Sequence, residues 1–451
     1  MGKLFGTDGA RGIANKDLTC ELALKIGKAA AYVLANEKVK KPKILIGKDT
    51  RASSNMLESA LAAGLCSTGA DVILVGFVPT PAVAFLVNYS GADAGVMISA
   101  SHNPCEYNGI KLFNSSGFKL PDYIEDKIEE LIENDSVIDL PIGGNVGSIY
   151  KREDYIENYI NHLLSTVDTD FNGLKIAVDC SNGSASYIAE RLLKKLGADC
   201  YMLHAKPNGT NINSECGSTD MRDLIKFVNG HNLDLGIAFD GDADRCLTVD
   251  EKGQIIDGDK LIAVFSKNLK EKNRLKNNTA VITVMTNIGF KKFAKENNIN
   301  YEITSVGDRY VLENMLLNDY SIGGEQSGHI IFKDFATTGD GLLTAIQFLS
   351  ILSKTKKSAS ELTSIMESFP QVILNVKASN KTKEIVKNDK QLIEVIKEQE
   401  LKLGENGRVL VRASGTEPLV RIMIEGQNVK EINIMAKNIA EVIKKIENEI
   451  C

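Results

Sequence analysis

Strand-length apolar runs alternate with helix-patterned stretches along most of this chain, and that alternation restarts twice. Residues 43–47 (KILIG), 72–76 (VILVG) and 95–99 (GVMIS) read as strands, with helical character over 55–65. Residues 174–179 (LKIAVD) and 235–239 (LGIAF) repeat the theme around a helix at 188–196. A third round follows in 280–284 (AVITV), a helix at 289–296 and a strand at 301–304. Strands that alternate with helices are covered on both faces, so they read as uninterrupted apolar runs in parallel sheets. At 451 residues the chain is too long for one core.

The pattern lapses in three places: a Gly-rich stretch at 141–150, a turn-like stretch at 251–258, and 358–370. Domains are therefore expected at 1–150, 151–252, 253–368 and 369–451. The last has strands at 372–377, 408–412 and 420–425 and a long amphipathic helix at 429–449, the outline of a small α+β domain.

Composition narrows the function. A hydrophobic fraction of 43% with 25% charged residues fits a globular protein. The net charge of −6, without a large basic block, argues against a nucleic-acid partner. The eight cysteines include no CxxC pair, so they read as reduced and structural. No run of eighteen apolar residues suggests a membrane span, and MGKLFGTDGARG lacks the apolar core of a signal peptide. A cytoplasmic location is the expectation by elimination.

Chemistry concentrates in a few loops. Asp240, Asp242 and Asp244 follow a strand in FDGDADR, with only small residues between them. Three carboxylates this close repel one another unless a cation joins them, and oxygen-only ligands favour a hard ion such as Mg²⁺. Ser101, in SASHNP, lies just past the third apolar strand, at the end of a sheet strand where active sites gather. No G-x-S-x-G elbow surrounds it, which speaks against acyl transfer despite the neighbouring His102. In GGEQSGH, Glu325 and Ser327 are groups that can hydrogen-bond sugar hydroxyls. In RASGTEP, small residues offer backbone N–H groups to a phosphate, and Arg412 and Arg421 add guanidinium clamps. No Walker A pattern is present. GTDGARG near the N-terminus and GKDTR at 47–51 put basic groups on Gly-containing loops, and each is weak alone.

Taken in order, GTDGARG, SASHNP, FDGDADR, GGEQSGH and RASGTEP resemble the α-D-phosphohexomutase superfamily over essentially the whole chain. The resemblance implies three related α/β units with mixed sheets and a smaller C-terminal α+β domain around a central active-site cleft. It implies that Ser101 is the phosphorylated serine. Asp240, Asp242 and Asp244 would bind one Mg²⁺ per active site, completed by a phosphate oxygen on Ser101. Glu325 and Ser327 match the sugar loop. Arg412, Ser414, Gly415, Thr416 and Arg421 match the loop for the non-reacting phosphate. Arg11, Lys111 and Arg245 match the basic residues around the transferring group. His102, Lys111 and His329 are counted with the catalytic set, the last two as candidates for general base. Gln326, where mannose and glucose phosphate mutases often carry Met, is similar to the members acting on glucosamine phosphates. Those members interconvert glucosamine 6-phosphate and glucosamine 1-phosphate on the way to UDP-N-acetylglucosamine and bacterial cell-wall precursors. The alternative is a mutase of mannose or glucose phosphates. The partner expected is thus a small sugar phosphate, and a homodimer is compatible with the sequence, which does not set the oligomeric state.

Overall fold

The computed structural model describes residues 4–6, 8–34, 41–134, 138, 140–414 and 418–450. Two compact units are present. One comprises Met1–Met285 with Ile299–Ile365, the other Thr286–Asn298 with Met366–Cys451.

The first unit contains three sheets. In the seven-stranded sheet, Lys43–Lys48 lies between Asp71–Phe77 and Ala94–Ile98, parallel to both. Ile149–Lys151, inside the stretch read as a lapse, extends this sheet beside Asp71–Phe77. On the other side Tyr107–Asn114 and Gly9–Ile13 add antiparallel strands. The second sheet has a parallel core of Asp199–Leu203, Lys175–Asp179 and Leu235–Phe239. It continues antiparallel through Cys246–Asp250 and Ile255–Ile256. The third places Thr279–Thr283 between Asn300–Thr304 and Ile322–Gly324, again parallel, and ends on antiparallel Ile330–Phe332.

The apolar runs account for the parallel cores. Leu235–Phe239 (LGIAF) is buried at all five positions, as a strand covered on both faces must be. The antiparallel margins carry no such signal. Three of their strands, Tyr107–Asn114, Cys246–Asp250 and Ile330–Phe332, return directly through a short loop, with no crossover helix to announce them.

This plan sets the position of the site. Ala94–Ile98, Leu235–Phe239 and Ile322–Gly324 are each followed by a loop and then an antiparallel partner strand. Those three loops are SASHNP, FDGDADR and the GEQSGH turn.

In the second unit, Leu419–Glu425 pairs antiparallel with Gln371–Lys377 and with Arg408–Ala413. The helix Val429–Ile450 buries Ile432, Met435, Ala436, Ile439, Ala440, Ile443 and Ile446, the three-and-four spacing of one helix face. The helix Ile288–Glu296 belongs with this unit, where the Ile288 N–H donates to Glu425 (3.1 Å) and Arg408 donates to the Thr286 carbonyl (2.6 Å). Among the described residues no helix is long and apolar enough to cross a membrane.

Candidate active site

Ser101 leaves its strand in the left-handed region, at φ 51°, a costly conformation for a residue with a Cβ. The loop is held from several sides. The Ser101 N–H donates to Ser99 Oγ (2.9 Å). Arg51, 1% exposed, donates through Nη2 to the carbonyls of Ser101 (3.1 Å) and Asn103 (2.6 Å). Asn213 Nδ2 donates to the same two carbonyls, both at 2.9 Å. Asp49 anchors Arg51 through an ion pair. The FDGDADR loop approaches so closely that a Cβ on Gly241 would lie 2.6 Å from the Ser101 carbonyl oxygen. This contact leaves the Ser101 hydroxyl donating to Asp240 Oδ2 at 2.6 Å.

Asp240, Asp242 and Asp244 are buried, and each offers an oxygen within 4.8 Å of the others. Among the described residues, Asp242 Oδ1 and Asp244 Oδ1 accept no hydrogen bond although both are buried. Three buried carboxylates brought this close, two of them with such an oxygen, fit a small divalent cation. Burial, then the charges of Asp244 and Asp242, push the Asp240 carboxyl well above the usual carboxylate range. Burial works the same way on Asp244, but Lys111 and His329 outweigh it and hold that carboxyl well below.

Cations surround the triad. Lys111, from the antiparallel strand Tyr107–Asn114, donates to Asp242 Oδ2 at 2.8 Å and lies 3.2 Å from Asp8 and 3.6 Å from Asp244. Against the cost of burial, these three carboxylates keep its ammonium charged. Arg11, on Gly9–Ile13, is ion-paired with Asp8, and its Nε and that of Arg245 are buried without a hydrogen bond among the described residues. His102 Nδ1 lies 3.5 Å from Ser101 Oγ. Burial and the nearby Arg245 and Arg11 lower its pKa to about 4, so it is neutral.

The GEQSGH turn closes on itself. The Glu325 N–H donates to the His329 carbonyl and the Gly328 N–H to the Glu325 carbonyl, both at 3.0 Å. Gly328 sits at φ 88°, with Cys246 O only 2.3 Å from where a Cβ would be, so the turn requires glycine there. Glu325 Oε1 accepts from the Gly307 N–H (2.9 Å), and Ser327 Oγ is buried without a partner among the described residues. Gln326, the residue that marked a subgroup in the sequence, donates to Asp257 Oδ2 at 3.3 Å and so braces the turn. His329 is 3% exposed, between Asp244 (3.7 Å) and Asp308 (3.6 Å), and the Gly339 N–H points at its Nε2 (3.1 Å). Burial lowers the affinity of His329 for a proton, but the two carboxylates raise its pKa above the ordinary value.

Ser101, His102, the three aspartates, Arg11, Lys111, Arg245 and His329 thus converge, with Glu325 and Ser327 on the His329 turn. In the second unit, Arg412 and Arg421 stand directly opposite each other across antiparallel strands, and Arg421 donates to Asn375 (3.2 Å). Ser414 starts the loop between these strands with its N–H on the Leu419 carbonyl (2.9 Å). Gly415 and Thr416 lie outside the described residues.

Arg51 appeared in the sequence only as part of a weak basic loop, and Asp8 as part of GTDGARG. Asn213, Lys119 and Asp308 carried no local signal. A further convergence, Asp179, His204 and Cys216, is a hydrogen-bonded knot. The Asp179 oxygens accept from the amides of Ser181 (2.8 Å) and Gly217 (2.9 Å) and face His204 Nδ1 (2.9 Å).

Four family models of phosphoglucomutase/phosphomannomutase match in chain order: alpha/beta/alpha domain I over residues 2–138, domain II over 153–253, domain III over 257–369 and the C-terminal domain over 373–442. The class that fold and site define is therefore a phosphohexomutase, an enzyme of isomerase type. The chain is 54% identical over 450 residues to a phosphoglucosamine mutase of Caldicellulosiruptor bescii, covering 98% of this chain and 99% of that one. It is 51% identical to the phosphoglucosamine mutase of Acetivibrio thermocellus over the full length of both. Among solved structures, a phosphoglucomutase/phosphomannomutase family protein from Burkholderia thailandensis shares the fold with a TM-score of 0.81 at 24% identity, covering 98% and 97% of the two chains. The chain belongs to the phosphoglucosamine mutase family of the α-D-phosphohexomutases.

Proposed function

We propose that this enzyme interconverts glucosamine 6-phosphate and glucosamine 1-phosphate through a phosphoserine at Ser101. The observation that carries this reading is the Ser101 hydroxyl on Asp240 Oδ2 at 2.6 Å, beside two buried carboxylate oxygens that accept no hydrogen bond among the described residues. The amino-sugar specificity rests on identities above 50% to curated phosphoglucosamine mutases over the whole chain.

In the first half-reaction a sugar hydroxyl oxygen attacks the phosphorus on Ser101. The new P–O bond forms to the sugar, the bond to Ser101 Oγ breaks, the sugar hydroxyl gives its proton to a base, and Ser101 Oγ takes up a proton as it leaves. The product is a sugar bisphosphate, which turns within the site. Its other phosphoryl group then returns to Ser101, and the second monophosphate leaves. Phosphoryl transfer needs in-line positioning and charge neutralisation more than covalent chemistry from the protein. Lys111, Arg11 and Arg245 supply cationic groups for the phosphoryl oxygens. Asp240, Asp242 and Asp244 would hold Mg²⁺, which when bound neutralises charge on the transferring group. Lys111, held charged by its carboxylates, can give a proton but not take one, which leaves His329 as the candidate base. Glu325 and Ser327 meet the sugar hydroxyls. Arg412, Ser414, Gly415, Thr416 and Arg421 hold the phosphate that is not reacting. The product feeds the formation of UDP-N-acetylglucosamine.

Intact mass before and after phosphatase treatment tests the phosphoserine: one phosphoryl group is expected, located at Ser101. Ser101→Ala is expected to abolish turnover. Wild-type turnover is expected to be highest with glucosamine 6-phosphate among the glucosamine, glucose and mannose phosphates. Near-wild-type activity in Ser101→Ala would remove the mechanism, and equal turnover of all three sugars would remove the specificity.

A further inference from the structure

Lys119 lies outside every motif, yet it joins two loops of the site. Its Nζ forms ion pairs with Asp8, beside Arg11, and with Asp308, next to the Gly307 amide that holds Glu325. The side chain is only 17% exposed. Followed outward, these contacts close into a ring. Asp8 meets Lys111 at 3.2 Å, Lys111 meets Asp244 at 3.6 Å, Asp244 meets His329 at 3.7 Å, and His329 meets Asp308 at 3.6 Å. Lys119 completes the circuit back to Asp8. Carboxylates alternate with basic side chains around all six positions.

The ring ties together the three sheets of the first unit. Asp8, Lys111 and Lys119 come from the seven-stranded sheet and its loops, Asp244 from the FDGDADR loop, and His329 and Asp308 from the third sheet's region. The link through Lys119 is reinforced on both sides. Thr337 Oγ1 donates to the Gly117 carbonyl (2.7 Å), and Arg309 is ion-paired with Asp122. Lys111, beside Asp242 and Asp244, and His329, beside Asp244, therefore each also face a carboxylate with which Lys119 pairs, Asp8 and Asp308 respectively. Without Lys119, Asp8 and Asp308 keep their charge and lose a partner. Asp8 then rests on Arg11 and Lys111, and Asp308 loses the partner that fixes it beside His329, so both carboxylates shift and Lys111 and His329 shift with them relative to Asp242 and Asp244.

We propose that Lys119, acting with Asp308, is a positioning residue that sets where Lys111 and His329 stand during phosphoryl transfer. This rests on the phosphoserine reading of Ser101. The test follows single-turnover transfer from phospho-Ser101 enzyme to glucosamine 6-phosphate, read by intact mass, alongside steady-state kinetics and thermal melting. Lys119→Met is expected to slow transfer about 100-fold, the scale of an ångström misplacement of catalytic groups. KM for the sugar phosphate is expected to change little. Lys119→Arg, which keeps the charge, is expected to recover most of the rate. Asp308→Asn, nearly isosteric and a safeguard against a folding defect in Lys119→Met, is expected to reproduce the loss. The double variant is expected to be no slower than the slower single one, because both break the same ring. Transfer at the wild-type rate in Lys119→Met, an Arg variant as impaired as the Met variant, or multiplying losses in the double variant would each overturn the proposal. Wild-type enzyme that passes no phosphoryl group from Ser101 would overturn the reading beneath it, and the proposal with it.

Discussion

At the scale of single residues, the conformation of Ser101 is held by side chains remote in sequence. Asn213 spends its amide on the carbonyls of Ser101 and Asn103, and itself sits at φ 57°. Asn213→Gly keeps that backbone conformation without strain and removes, besides the bond its Oδ1 accepts from Ser181 (2.6 Å), the two hydrogen bonds to the loop. At about 0.5–1.5 kcal/mol each, their loss should cost roughly 1–3 kcal/mol in holding the loop. The expected outcome is a fall in kcat with little change in KM and a modest drop in melting temperature. An unchanged kcat would show that Arg51 suffices to hold the loop. Ser101 and the three aspartates were legible in the sequence because each sits in a dense local pattern. Asn213 and Lys119 were not. Asn213 meets a carbonyl 112 residues away, and Lys119 an aspartate 189 residues away, so nothing beside either one in the chain records the contact.

At the scale of elements, each functional loop joins a strand to an antiparallel partner. In the second unit Arg408–Ala413 likewise pairs antiparallel with Leu419–Glu425, the next strand in the chain. The central parallel strands were legible as buried apolar runs, but Asp199–Leu203, which is half exposed, and the three-residue Ile322–Gly324 were not. The partner strand Tyr107–Asn114 was not, because it carries Asn108, Lys111 and Asn114 among its apolar residues, and it is Lys111 that reaches the triad. The two substrate loops separate by experiment. Arg421→Ala removes a guanidinium from the loop proposed to hold the phosphate, where a charge-assisted contact would be worth about 1.5–3 kcal/mol, so KM should rise for every sugar phosphate alike. Its Mg²⁺ affinity should be unchanged. Glu325→Ala removes a sugar contact and a carboxylate available to an amino group, so it should lower kcat/KM for glucosamine most. Comparing kcat/KM for glucosamine, glucose and mannose phosphates in both variants checks this. A uniform loss in Glu325→Ala with altered ranking in Arg421→Ala would mean that the roles of the loops are exchanged.

At the scale of the whole molecule, the aspartate cluster sets function against stability. Asp240, Asp242 and Asp244 are buried within 4.8 Å of one another; Lys111 and His329 hold Asp244 charged, so the cost of the crowding falls unevenly. Asp240 carries this cost most plainly, since burial and its two neighbours raise its folded-state pKa above the unfolded value of about 3.9. The folded state therefore binds the Asp240 proton more tightly than the unfolded chain does. Below the unfolded pKa the carboxyl is neutral in both states and the penalty is absent. As pH rises from there towards the folded-state value the penalty grows, and it is complete once the folded-state carboxyl is ionised. Asp240→Asn removes the charge and keeps an oxygen to accept from Ser101. In EDTA at neutral pH the variant should melt above wild type, with the advantage shrinking as pH falls towards about 4. Added Mg²⁺ should reverse the order. A ligand at a hundred times its Kd contributes about 2.7 kcal/mol to the folded state, and wild type should gain that where the variant gains less. Activity should follow the metal, absent in EDTA and restored by Mg²⁺ only in wild type. A variant that melts below wild type in EDTA would mean that Lys111 and Arg245 already balance the carboxylates. Equal stabilisation of both proteins by Mg²⁺ would move the ion away from Asp240.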